Sequence, residues 1–83
     1  MVAKTLVGVV DSIIAREGSH GFLDSVKDLA GAGEPEFALD FLADGLLSWK
    51  LPITPSELAI LEELCRSWNA EDRIRDFAIL TQP

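Results

Sequence analysis

The sequence predicts an all-α fold, a compact bundle of four to five short helices in one domain spanning residues 1–83. Two observations support this prediction. Apolar residues recur three and four positions apart through most of the chain, which is the spacing of a helix that buries one face. Glycine- or proline-containing stretches at residues 18–21, 31–35 and 52–55 separate these periodic segments. A chain of 83 residues with 48% hydrophobic content is large enough for a single core.

The first two helices are predicted from their apolar stripes. Residues 3–17 place a stripe on one side of a helix, made up of Leu6, Val7, Val10, Ile13 and Ile14. Residues 6–10 alone are also compatible with a strand, but the longer pattern favours a helix. Ser19 can cap a second helix that ends at Gly31 and Gly33. Its inward side is expected to carry Phe22, Val26 and Leu29.

The later helices have clearer start signals. Pro35 suits the first position of a third helix, with Glu34 at its entry, and this helix should run to about Trp49. Residues 54–57, Thr-Pro-Ser-Glu, have the pattern of a capping box, so a fourth helix should run from there to about Trp68. Residues 69–72 can cap a last short helix that carries Ile74, Phe77 and Ala78.

The third helix has an apolar arc and a row of acids. At about 100° per residue, the arc covers about 200° of the helix surface. It is made up of Phe37, Ala38, Leu39, Phe41, Leu42, Gly45, Leu46 and Trp49. Glu36, Asp40 and Asp44 form a row on the opposite side, and Leu47 lies within that row. Since Lys50 is the only base in this helix or at its end, the acids have no partner within it. The row is either a solvated face or a binding surface.

Net charge limits the classes of partner. The chain has 14 acidic and 7 basic residues, a net charge of −7 and a pI of about 4.4. Nucleic acids and anionic membranes are bound through lysine and arginine side chains, so we expect neither as a partner and favour a basic protein. The single cysteine excludes an intramolecular disulfide, and the N-terminus lacks the apolar run of a signal peptide or membrane span. We expect a cytoplasmic protein that is monomeric when free.

The other polar and reactive residues do not form a recognisable catalytic arrangement in the sequence. We therefore predict a protein that is not an enzyme and needs no cofactor or metal. His20, the only histidine, lies in a glycine-rich turn, where a solvated loop residue is expected. On the fourth helix, Glu62 and Arg66 are spaced to form an ion pair, and its core face is expected to comprise Ile60, Leu61, Leu64, Cys65 and Trp68. Trp49 should also fill the core. A small basic patch is expected from Arg66, Arg73 and Arg75.

Two short segments suggest an alternative function. Asp11-Ser12-Ile13 and Asp24-Ser25-Val26 resemble the Asp-Ser-Leu attachment site of acyl and peptidyl carrier proteins. In that family the modified serine opens the second helix after a long loop, whereas Ser12 is predicted inside the first helix and Ser25 follows only a short turn. A carrier protein modified on Ser25 therefore remains an alternative, as does a generic helical adaptor.

Residues 33–40, Gly-Glu-Pro-Glu-Phe-Ala-Leu-Asp, carry a more specific resemblance. Together with Leu42, Leu46, the Leu-Pro-Ile break at residues 51–53 and Thr54, they resemble the MafI-like small immunity proteins of bacterial polymorphic toxin systems. The resemblance covers roughly residues 21–66, and residues 47–50, Leu-Ser-Trp-Lys, depart from the tyrosine-rich end of the family pattern. It implies an acidic, helical, cytoplasmic antidote that binds a cognate toxin domain, often a nuclease.

The acid row would then have a function in recognition. A nuclease grips phosphates with a basic cleft, so an acidic helix can occupy that cleft or bind beside it and block access. Charge would speed association, and a few buried apolar anchors would slow dissociation. We therefore predict that Glu36, Asp40, Asp44 and Leu47 contact the basic toxin domain.

Overall fold

The structure, a computed structural model, describes residues 2–81 and consists of five α-helices and one 3₁₀-helix. The helices are α1 (Val2–Glu17), α2 (Gly21–Gly31), α3 (Pro35–Trp49), α4 (Pro55–Ser67) and α5 (Ile74–Ile79), and the 3₁₀-helix spans Glu71–Arg73. The predicted all-α bundle is confirmed. Residues 6–10, which are also compatible with a strand, lie within α1. Residue 1 and residues 82–83 of the predicted domain lie outside the described residues.

The core is formed on the inner sides of all five helices. Its largest fully buried side chains include Leu6, Val10, Ile13, Leu23, Val26, Leu39, Leu42, Leu46, Ile53, Leu61, Cys65 and Phe77. α1 packs against α2 and α4, and α2 packs along α3. Phe22 near the start of α2 lies against Gly45 near the end of α3, and the Glu34 amide donates to the Leu29 carbonyl at 3.0 Å. These two contacts show that α2 and α3 run antiparallel.

Several helix ends are where local chemistry predicts them. Pro35 occupies the first turn of α3, and Gly33 precedes it with φ of 80°. At α4 the capping box is complete: the Thr54 Oγ1 accepts from the Glu57 amide at 3.1 Å, and the Glu57 Oε1 accepts from the Thr54 amide at 2.9 Å. Since these signals act within four residues, the rest of the fold has little influence on them.

Two predicted caps are wrong. The residue that caps α2 is His20 rather than Ser19, and its side chain makes no capping hydrogen bond. Ala70 precedes the 3₁₀-helix, again without a side-chain cap, so no side chain of residues 69–72 has this role. In α2 the burial pattern is also shifted: Leu23 and Ala30 are fully buried with Val26, while Phe22 and Leu29 are half-buried at the edge of the core.

The apolar arc of α3 is only partly buried, which corrects the predicted core face. Its buried residues are Ala38, Leu39, Leu42, Ala43 and Leu46. Phe37, Phe41 and Trp49 are 62%, 42% and 61% exposed. Phe37, Phe41 and Gly45 share one row along the helix, and Phe22 of α2 covers that row at Gly45. The arc is therefore wider than the surface that the neighbouring helices cover.

The last two helices bury less than expected. In α4, Leu61, Leu64 and Cys65 are buried, Trp68 is half-buried and Ile60 is 38% exposed. In α5, Phe77 alone is fully buried, Ile74 packs at the edge of the core and Ala78 is exposed. Among residues 2–81, no helix combines the length and the apolar character that crossing a membrane requires.

Candidate protein-binding site

The predicted acid row lies on the outer side of α3. Glu36 is exposed, and the side chains of Asp40 and Asp44 are 44% and 66% exposed. Leu47, which falls within this row on the helical wheel, is half-buried. The helical geometry therefore brings together the four predicted contact residues, because positions three, four and seven residues apart share a side of a helix.

The row has a cationic partner from another element. Arg73 of the 3₁₀-helix places its Nε 2.9 Å from Asp40 Oδ1, and two further guanidinium nitrogens lie 3.1 Å from Asp44 Oδ1 and 2.9 Å from Asp76 Oδ2. Hydrogen bonds to Asp40 and then Asp76 raise the pKa of Arg73 above its ordinary value. Three carboxylates around one guanidinium leave the cluster with a net negative charge.

This cluster corrects two expectations. The acids do lack a partner within α3, but Arg73 offsets part of their mutual repulsion from 33 residues along the chain. Arg73 is also surrounded by carboxylates, so it does not form a basic patch with Arg66 and Arg75. Reversing the charge of Asp40 would consequently disturb the contact between α3 and the 3₁₀-helix.

Two aromatic side chains accompany the acids on this face. Phe37 and Phe41, one turn apart, are among the large hydrophobic side chains that remain exposed. On the helical wheel they lie beside Asp40 and Asp44. We call the surface formed by Glu36, Phe37, Asp40, Phe41 and Asp44 the α3 outer face. Sequence reasoning missed the two phenylalanines because their spacing also fits a core position, and only burial separates the two possibilities.

A pocket of about 270 Å³ continues the α3 outer face at the start of the helix. Its lining is contributed by residues 33–37 and by Trp68 at the end of α4. The Trp68 Nε1 is buried and has no hydrogen-bond partner among the described residues. Glu34 makes no capping hydrogen bond, so its carboxylate is not engaged by the helix end.

The buried Glu57 is a structural group rather than a reactive one. Arg16 binds both of its oxygens at 2.8 Å, and the Ser12 hydroxyl donates to Oε2 at 2.6 Å. Burial by itself raises the pKa of Glu57, but the hydrogen bonds from Arg16, Ser12 and Thr54 outweigh it and hold the pKa below its ordinary value. Both carboxylate oxygens accept hydrogen bonds, and those from Arg16 and Ser12 link α1 to α4.

The other candidate residues lack a reactive arrangement. His20 is half-buried, with its ring centroid 5.0 Å from that of Trp49 and 6.1 Å from that of Phe22, so it is not a solvated loop residue. Cys65 is fully buried as predicted, and burial followed by nearby carboxylates raises the pKa of its thiol to about 11. Within residues 2–81, no ion pair joins Glu62 to Arg66, and no acidic, cysteine or histidine side chains cluster as a metal site would require.

The two serines of the carrier alternative both lie inside helices. Ser12 is held by Glu57, and Ser25 is in the middle of α2, where its hydroxyl lies 3.5 Å from the Gly21 carbonyl oxygen. Neither opens a helix after a long loop.

No protein-family model, curated protein or solved structure matches this chain.

Proposed function

We propose that this protein is an immunity protein that binds and neutralises a basic bacterial toxin domain, a nuclease being one such toxin. The observation that carries the proposal is the α3 outer face, which combines exposed carboxylates with exposed aromatic rings. The resemblance of residues 33–40 to the MafI-like immunity proteins supports the same conclusion. Inhibition is by binding, without a catalytic residue on this chain.

The composition of the face suits tight, selective binding. The net charge of −7 attracts a basic partner from a distance, and Glu36 and Asp44 direct it towards α3. Once the partner is bound, the burial of apolar side chains in the interface slows dissociation, and aromatic residues are the most effective of these side chains. Phe37 and Phe41 provide two such anchors, and the half-buried Leu47 provides a third.

Arg73 stabilises the face without neutralising it. Its three contacts fix the positions of Asp40, Asp44 and Asp76, so these carboxylates lose less freedom when a partner binds. Since one guanidinium serves three carboxylates, capacity remains to accept hydrogen bonds from lysine or arginine side chains of the toxin.

The test is co-expression with the product of the neighbouring gene, followed by affinity capture and a growth assay. We expect the wild-type chain to capture that product and to suppress its toxicity. Glu36→Gln with Asp44→Asn should weaken capture at least about tenfold, since each lost charge contact at an interface costs about 1 kcal/mol or more. Asp40 is retained in this variant so that its contact with Arg73 survives.

The matched control is Glu62→Gln with Glu63→Gln on α4, which removes the same charge from another helix. This variant should bind like the wild type. Thermal melts of both variants show whether the fold is retained. Absence of capture and of protection by the wild-type chain would reject the proposal, as would an equal loss of affinity in the two variants, which would indicate a general effect of net charge.

The alternatives predict different results. A carrier protein gains mass on a serine when co-expressed with a phosphopantetheinyl transferase, whereas an immunity protein keeps its unmodified mass. A generic helical adaptor captures its partner without affecting the growth of cells that express a toxin.

A further inference from the structure

We propose that the pocket at the start of α3 binds an arginine side chain of a basic protein partner. The inference rests on the proposed function, because it names one contact through which the α3 outer face would recognise a toxin. The pocket is lined by Gly33, Glu34, Pro35, Glu36, Phe37 and Trp68. It is continuous with the exposed phenylalanines, so a bound segment can cover both.

Phe37 and Phe41 of the α3 outer face are exposed and lie outside the core. Phe37 and Phe41 point away from the side that is filled by Leu39, Leu42 and Leu46. Moving a phenylalanine ring out of water is favourable, and these exposed rings have not gained most of that free energy. Two adjacent exposed rings beside a pocket form an apolar surface that a partner can cover.

Charge identifies the kind of partner. Glu34 and Glu36 both contribute to the pocket wall, and neither forms an ion pair or a side-chain hydrogen bond among the described residues. Farther along the helix, Asp40 and Asp44 keep the face negative despite Arg73. An anionic occupant would meet these carboxylates, and Pro35 removes one of the backbone N–H groups that an anion would need. These charges favour a cationic occupant over an anionic one.

The aromatic rings favour a guanidinium over other cations. Trp68 and Phe37 both line the pocket, so it has two aromatic residues in its wall, and the Trp68 Nε1 is buried. A planar guanidinium stacks on an aromatic ring while its N–H groups bind a carboxylate in a bidentate manner. An ammonium is more strongly hydrated and has no flat face to stack. Arginine thus uses both the rings and the two glutamates.

The experiment uses two short peptides and NMR on the ¹⁵N-labelled chain. The probes are acetyl-Gly-Arg-Gly-amide and the same peptide with citrulline, which has the shape of arginine without the charge. We expect the arginine peptide to shift the signals of the Trp68 indole N–H and of the backbone amides at Gly33, Glu34 and Phe37. The citrulline peptide should bind about tenfold more weakly, the effect of losing one charged, stacked contact.

Two variants locate the effect. Glu34→Gln with Glu36→Gln should weaken binding of the arginine peptide at least about fivefold, because both carboxylates of the pocket lose their charge. Glu34 makes no capping hydrogen bond, so the fold should survive, and a melting curve checks this. Glu62→Gln with Glu63→Gln is the control, because it removes the same number of charges from α4. It should leave the titration with the arginine peptide unchanged. A Trp49→Phe variant assigns the indole signals.

The outcomes separate this inference from the proposed function. Equal shifts with the arginine and citrulline peptides, or shifts spread over all acidic surfaces, would reject the inference that the pocket binds arginine. This holds even if the neighbouring gene product is captured. Localised, charge-dependent shifts would support the pocket even if that product is not captured, in which case only the immunity function falls. If both hold, Glu34→Gln with Glu36→Gln should also weaken capture of the toxin.

Discussion

Glu57 shows how one buried charge joins three parts of the chain. The residue is 4% exposed, and its carboxylate accepts hydrogen bonds from Arg16 and Ser12 of α1 and from the Thr54 amide. Removing a carboxylate from water is costly unless each oxygen gains hydrogen bonds, and here both do. The same residue completes the capping box of α4, so a local signal and a long-range contact share one side chain.

Glu57→Gln should lower the free energy of unfolding by about 2 kcal/mol at pH 7, the range for hydrogen bonds to a charged group. The pKa of Glu57 is lowered from its ordinary 4.5, so the unfolded chain takes up this proton at a higher pH than the folded chain does. The contribution is therefore complete above about pH 4.5 and is lost as the pH falls through the folded pKa. The gap between wild type and variant should narrow below pH 4.5.

Urea unfolding at pH 7, 5 and 3 measures this gap. Glu63→Gln, at an exposed position of the same helix, is the control and should stay within about 0.5 kcal/mol of the wild type at pH 7. A gap of constant size from pH 7 to pH 3 would mean that the charge of Glu57 contributes nothing to stability.

At the scale of the elements, the close contact of α2 and α3 depends on a glycine inside a helix. A Cβ at position 45 would overlap the ring of Phe22. Glycine in a helix interior costs about 1 kcal/mol relative to alanine. The close packing of α2 against position 45 offsets this low helix propensity. The consequence reaches the α3 outer face, because Phe22 covers only the Gly45 end of the row that also contains Phe37 and Phe41.

Gly45→Ala should destabilise the wild-type protein by about 1 kcal/mol, because overpacking against Phe22 exceeds the gain in helix propensity. In a Phe22→Ala background the overlap is gone, and the same substitution should stabilise by about 1 kcal/mol. A double-mutant cycle from thermal or urea unfolding measures both values. The same sign in the two backgrounds would show that Phe22 moves aside and does not determine the residue at position 45.

At the scale of the whole molecule, Cys65 reports on the integrity of the core. Its side chain is fully buried on α4, and the pKa of about 11 leaves little thiolate at neutral pH. Nothing in its surroundings lowers this pKa, since the neighbouring charges are carboxylates that raise it further. A reagent for thiols can therefore react only when the core opens.

At pH 8 the folded thiol should react with a disulfide reagent at least about 1,000-fold more slowly than the same chain in urea, given ordinary domain stability. In the Glu57→Gln variant the reaction should be about 30-fold faster than in the wild type, if it loses about 2 kcal/mol and opening is global. Absorbance of the released thiolate measures both rates. An unchanged rate in the destabilised variant would mean that α4 opens by itself.

Local sequence signals account for the parts of the structure that depend on neighbouring residues. Pro35 and the pair of Thr54 and Glu57 set the starts of α3 and α4, because a proline ring and a capping box act within one turn. The row of Glu36, Asp40 and Asp44 follows in the same way from helical periodicity. Caps without such chemistry, at the starts of α2 and of the 3₁₀-helix, could not be located from the residues.

Tertiary packing decided which side of each helix meets the core and which distant charges meet each other. The apolar arc of α3 is wider than the surface available to bury it, so the positions of the neighbouring elements determine that Phe37 and Phe41 stay in water. Arg73 reaches Asp40 across 33 residues, and Arg16 reaches Glu57 across 41. No periodicity encodes such pairs, because the separation along the chain carries no information on how helices are arranged in space.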